Sequence, residues 1–220
     1  MASLESPESA RREKFGYVCR ACSRCCQHKV IQVNPYEVAR LARLKGIATG
    51  AFRAAFTENG QGAILRRTAD TDTCVFLEQG GCSVHSDRPL VCRLYPLGRH
   101  VAADGTERWV HVAPHPESAG VYSREGTIAD YIAAQGALPF MRAADAYAQW
   151  VRDAHAFLEH AQNRAADDLV DMDAAIAGHC ARTGAPEPDD IEQRRLLHMD
   201  ILYLQLNQSG ERDGDGNFKE

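Results

Sequence analysis

The chain has 220 residues with 45% hydrophobic and 25% charged side chains, enough apolar content for an ordinary folded core. Its formal net charge of -5 and pI near 6.0 argue against nucleic acid, whose binders present a basic face. No apolar run reaches the length needed to cross a bilayer, and the polar stretch 1–14 has no apolar segment of the kind that starts a secretory signal. We therefore expect a cytoplasmic protein without a membrane partner.

Residues 1–15 read as a disordered polar leader. The run Cys19-Arg-Ala-Cys22-Ser-Arg-Cys25-Cys26 follows, and Val30 to Val33 alternates as a short strand would. Asn34-Pro35-Tyr36-Glu37 combines an N-cap asparagine, proline at the first helical position and glutamate at the third. That helix carries Val38, Leu41 and Ala42 on one face and ends at Gly46. A second helix covers Gly50 to Phe56, and residues 59–62 form a loop. Residues 63–67 and 74–77 suggest two short strands, with a turn at Gln79-Gly80-Gly81 leading into Cys82. Pro89 starts a short helix, and residues 99–112 read as a hairpin turning at Ala103-Asp104-Gly105.

Past residue 117 the spacing becomes helical, over 127–134, 139–161, 165–178 and 189–206. In the clearest of these, Met141, Ala144, Tyr147, Ala148, Val151, His155 and Leu158 fall near one face. The expected class is α+β: a small cysteine-rich metal-binding domain of short helices and strands at 16–116, then a mostly α-helical region at 117–208. A polar tail at 209–220 is expected to be disordered. The helical region is a candidate surface for a protein partner.

Cysteine usage sets the functional expectation. Seven of eight cysteines (Cys19, Cys22, Cys25, Cys26, Cys74, Cys82 and Cys92) fall in residues 19–92, and Cys180 stands apart as a small buried hydrophobe. In a reducing compartment such a cluster points to a metal rather than disulfides, and an odd number cannot pair completely. Cys-x2-Cys turns let two thiolates converge on one ion, and repeating the spacing wraps backbone N–H groups around a centre. Cys-x2-Cys-x2-Cys also opens the cubane-binding loops of ferredoxins, where a fourth cysteine comes later. Here Cys26 follows Cys25 directly, and adjacent side chains diverge. The pair therefore serves two metals, or one ligates while the other supports it. One zinc or one [4Fe–4S] cluster would use four thiolates; a bridged binuclear centre could use six or seven. Arg20, Arg24, Arg88 and Arg93 lie close enough in sequence to offset thiolate charge.

Other features favour bland readings. His85, three residues after Cys82, reads as a loop residue ahead of a ligand. Pro114 breaks any helical pairing of His111 with His115. His155 with Glu159 reads as a helix-edge pair, and Asp167, Asp168, Asp171 and Asp173 as a solvated helix face. Arg66-Arg67, and Arg93 with Arg99, read as surface charge. We find no P-loop, dinucleotide fingerprint, His-Glu-x-x-His or Gly-x-Ser-x-Gly motif.

The cysteine run, Cys74-Val-Phe-Leu, and Gly81-Cys82-Ser-Val-x3-Arg88-Pro89-Leu-Val-Cys92-Arg93-Leu-Tyr95-Pro96-Leu97 together resemble the bacterial CxxCxxCC cysteine-cluster family (YkgJ-type), a zinc- or iron-chelating domain. The resemblance covers about residues 16–100. Flagellin lysine N-methylases carry a distantly similar segment, for which an iron–sulfur cluster is the implied cofactor. The resemblance implies a metal site of zinc or iron, with the seven clustered cysteines as candidate ligands. It leaves three functions open: a metal-binding module, an iron–sulfur-dependent enzyme acting on protein side chains, and metal storage or delivery.

Overall fold

A computed structural model describes residues 10–154 and 170–210, and these form a mixed α+β protein with a helical C-terminal region. Residues divide into two compact units. The first comprises residues up to Val33 together with Ile64–Met141, and the second comprises Asn34–Ala63 with residues from Arg142 onward.

The first unit is built from three two-stranded antiparallel sheets and two short helices. β1 (Lys14–Val18) pairs with β6 (Val121–Thr127). β2 (Leu77–Glu78) turns into β3 (Gly81–Cys82), and β4 (Leu97–Val101) pairs with β5 (Glu107–His111). α3 (Leu90–Leu94) and α4 (Ile128–Ala134) complete the set. The hairpin and the glycine turn fall where turn chemistry put them, with Gly105 at φ 83° and Gly81 at φ 108°. Three expectations change. Residues 30–33 and 63–67 form no full strands but meet in a single bridge, Gln32 to Ile64, and only Leu77 of 74–77 enters a strand. Lys14 and Phe15 belong to β1 rather than to a polar leader, and Phe15 is buried. β6 occupies residues read as helical or loop, because its exposed faces carry no clean alternation for a sequence to display.

Phe15, Tyr17, Leu94, Leu97, Trp109, Ile128, Tyr131, Ile132, Ala137 and Met141 make the core of this unit. Phe15 meets Tyr131 edge-on with centroids 5.0 Å apart. α4 starts on a capping box between Thr127 and Asp130, a device that contributes about 1 kcal/mol.

Beneath the hairpin lies an ion network. Glu107, with its side chain 3% exposed, accepts two hydrogen bonds from Arg11, at 2.9 and 2.6 Å, and Arg99 approaches it to 3.1 Å. Burial pushes this carboxyl up, but the Arg11 hydrogen bond and the Arg99 and Arg11 charges outweigh it, and the net shift is downward. A carboxylate depressed in the folded state contributes stability above its unfolded value near 4.3, and loses it as pH falls through the folded value. Glu107→Gln should therefore cost about 3–5 kcal/mol at neutral pH, and the gap from wild type in urea midpoints should close on acidification toward pH 3. A gap constant from pH 7 to 3 would refute this account.

The second unit contains α1 (Pro35–Lys45), α2 (Thr49–Phe56), α6 (Met172–Thr183) and α7 (Ile191–Gly210), which pack on one another. α1 begins and ends as its sequence dictates. Asn34 and Glu37 form a reciprocal capping box, and Gly46 closes the helix at φ 67°. α5 (Leu138–Asp153) runs out of the first unit into the second, and its buried residues include Phe140, Ala143, Tyr147 and Trp150. Met141 and Tyr147 of the expected face are buried, but Val151 is exposed and Trp150 takes the inward position. His155, Leu158 and Glu159 lie outside the described residues, as do Asp167, Asp168 and the tail from 211.

Asp171 and Asp173 are not a solvated face. Asp171 is buried, caps α6 through Ala174 N–H, accepts the Thr49 hydroxyl and lies 3.6 Å from Arg53. Asp173 accepts from Thr49 N–H at 2.9 Å and pairs with Arg194 at 2.8 Å. Carboxylates placed at a helix start answer unsatisfied N–H groups, which the sequence pattern of acidic residues does not reveal.

Candidate metal centre

The cysteine run owes its shape to unusual backbone. Ala21, Ser23 and His28 hold left-handed φ values of 51°, 59° and 54°. None is glycine, and such positions cost on the order of 1–3 kcal/mol each unless their surroundings fix them. Here they curl residues 19–28 so that Ala21 N–H points at the Cys19 sulfur, 3.4 Å away. A short 3-10 turn, Arg24–Cys26, closes the curl.

A strap then ties this loop to the second cysteine segment. His28 N–H donates to Asp72 O at 2.9 Å, and Cys74 N–H donates to Cys26 O at 2.9 Å. Three residues on, the β2–β3 hairpin sets Leu77 opposite Cys82 and returns the chain toward the same loop. Gly81 is favoured there by its positive φ of 108°.

Cys19, Cys25, Cys26, Cys82 and Cys92 line one pocket of about 170 Å³, with Tyr17, Tyr95 and Tyr131 among its other walls. Cys26 lies close enough to Cys25 and Cys82 for the three thiols to influence one another. Cys74 is buried beside them, its charge coupled to Cys82 and Cys25. Cys22 does not line the pocket; its sulfur faces Ser118 and Ala119. Six of the seven clustered cysteines therefore gather at one place, and the seventh is held at its edge. Cys180 is buried in the second unit.

The sulfurs are unequal. The Cys26 hydrogen bond draws the Cys25 thiol below its ordinary value, and the same contact together with Cys82 pushes Cys26 well above its own. Protons in such a set belong to the group rather than to one residue. Burial raises Cys74, while the N–H groups of Arg24 and Ala119 lower Cys22. Among the described residues, no three His, Cys, Asp or Glu side chains stand in coordination geometry. Metal binding would replace thiol protons and draw the sulfurs together.

The donor chemistry is uniform. No Asp or Glu lines the pocket, and His85 adds an imidazole whose pKa is lowered by burial and by Arg88 and Arg93. Soft thiolate sets of this kind suit zinc and iron–sulfur centres and do not suit magnesium or calcium. Of the arginines near the cysteines in sequence, Arg88 lines the pocket. It bonds His85 O at 2.7 Å and Gln135 Oε1 at 2.6 Å, and its charge helps lower Cys25. Arg93 has a different task and is spent on backbone carbonyls.

Several contributors were invisible in the sequence. Tyr131 donates to Tyr95 O at 2.6 Å, and Tyr95 Oη accepts His115 N–H at 3.0 Å, so hydroxyls anchor the rings that wall the pocket. His111 and His115 serve separately: the first contacts Glu13 at 2.8 Å, and the second accepts from Glu117 N–H.

Residues 18–112 match the model of the CxxCxxCC family, described as "Putative zinc- or iron-chelating domain". The match spans less than half of the chain and supports metal binding as the role of this segment. No curated protein and no solved structure matches the chain. Among the described residues, no helix is long and apolar enough to cross a membrane.

Proposed function

We propose that the first unit binds zinc or an iron–sulfur cluster through the pocket cysteines. Cys25, Cys26 and Cys82 form the nucleus of the ligand set, with Cys19, Cys74 and Cys92 in reach and Cys22 at the edge. The observation that carries this reading is the convergence of Cys19, Cys25, Cys26, Cys82 and Cys92 on one pocket whose described lining holds no carboxylate. The residues fit such a group: thiolates supply the donors, Arg88 offsets their charge, and inward-turned N–H groups support the outer sulfurs. Zinc would supply a structural cross-link between the two cysteine segments, and an iron–sulfur cluster would add one-electron redox chemistry.

An enzyme is the second reading. It is favoured by the tyrosine-walled space beside the thiols, since a centre next to a pocket is the arrangement that admits a substrate. Activity on protein side chains would follow the methylase resemblance, and that warrant is analogy.

Anaerobic purification with metal analysis and a visible spectrum tests the proposal. Stoichiometric zinc in a colourless protein, or iron with a brown colour bleached by dithionite, is expected. Protein that takes up neither zinc nor iron, including after anaerobic reconstitution, would overturn it. Because the Cys26 thiol holds its proton above neutrality beside Cys25 and Cys82, metal uptake should release protons and the apparent affinity should rise with pH.

A further inference from the structure

The segment that follows the matched residues reaches back into the site. Ala119 N–H points at the Cys22 sulfur, 3.5 Å away, and Ser118 Oγ lies 4.0 Å from the same sulfur. The Ser118 hydroxyl also meets Tyr17 Oη at 3.1 Å and accepts Gly120 N–H at 3.3 Å. Ser118 N–H donates to His115 O at 2.8 Å, which folds the loop on itself, and Glu117 pairs with Arg24 at 3.0 Å. Gly120 is obligatory in this arrangement, because a Cβ there would fall 1.9 Å from Tyr17 Oη and 2.2 Å from the ring carbon beneath it.

From this geometry we infer that residues 115–120 are a part of the metal centre lying beyond the family-matched segment: a clasp that positions Cys22 as a ligand. The inference rests on the metal-binding reading above and extends it to residues with no cysteine, histidine ligand or motif among them. Cys22 sits half-buried between Ala21 and Ser23, both left-handed. Without the clasp its sulfur has only the local N–H of Arg24 to orient it. The Ala119 amide and Ser118 hydroxyl fix its direction from across the chain and stabilise charge on the sulfur. Ser118 and Ala119 are positioning residues: they act through Cys22.

The test uses the full chain loaded with Co²⁺ as a spectroscopic probe, whose thiolate charge-transfer absorption reports the number and setting of sulfur ligands. Ser118→Ala should lower Co²⁺ affinity by about tenfold and alter the charge-transfer band, in the range that outer hydrogen-bond partners of metal ligands carry. Ser118→Thr, which keeps the hydroxyl, should restore both. In a Cys22→Ser background the Ser118→Ala change should have no further effect, because its target is gone. Equal losses with and without Cys22, or an unchanged band and affinity in Ser118→Ala, would overturn the inference. A wild-type protein that binds no metal would instead defeat the metal-binding reading itself, so the two failures are distinguishable.

Discussion

Cys82→Ser is expected to abolish stoichiometric metal binding and to destabilise the first unit. Cys82 stands at the end of β3, opposite Leu77, and lines the pocket together with Cys26. It therefore joins the hairpin to the cysteine run at the centre of the set, and no neighbouring carboxylate can replace it. A direct ligand carries more than the roughly 10- to 100-fold that outer partners carry, so the affinity should fall by more than about 100-fold. Metal binding and folding are coupled, so hydrogen exchange in residues 19–28 and 74–92 should speed up in the variant. Cys180→Ala is the control, since Cys180 is buried in the second unit; it should keep full metal content. Full metal content in Cys82→Ser would show that the pocket set is wrongly drawn.

Arg93→Ala should be strongly destabilising, at about 3–5 kcal/mol. Arg93 is buried, and its guanidinium donates to Arg88 O at 2.9 Å, Gln135 O at 2.9 Å and Ser86 O at 2.5 Å. It also lies over the Phe140 ring, 4.0 Å from the centroid. Truncation strips three carbonyls of a charged donor and leaves the ring uncovered. Arg93→Lys should recover little, because one ammonium cannot span the fork that three separated carbonyls require. Urea titration of the metal-free protein measures this directly. A loss below about 1 kcal/mol would mean that Arg93 serves the metal's charge rather than the fold, the other role its sequence position allows.

Local chemistry was legible from residue order. Asn34, Glu37 and Gly46 delimit α1 because capping depends on neighbours three or four positions away. Ala103-Asp104-Gly105 turns the β4–β5 hairpin for the same reason. The pairing of β1 with β6 was hidden, since about a hundred residues separate the strands and β6 shows no clean alternation. The buried stripe of α5 was found at the right period, with Met141 and Tyr147 placed correctly and Val151 taken for Trp150, because several small alanines leave the apolar face ambiguous to spacing alone.

For the site, the sequence by itself determined the chemistry. Seven thiols within residues 19–92, and the spacing of the run at 19–26, select a soft-metal donor set whatever the fold does with them. What only tertiary structure decided is how those thiols differ. Backbone straps at 72–74 and the β2–β3 hairpin bring Cys74 and Cys82 to Cys26, and the loop at 115–120 takes hold of Cys22. Structure also separated the arginines, leaving Arg88 at the pocket and committing Arg93 to carbonyls. The physical reason is range: ligand identity is a property of each side chain, whereas convergence and charge balance depend on distances between residues far apart in the chain.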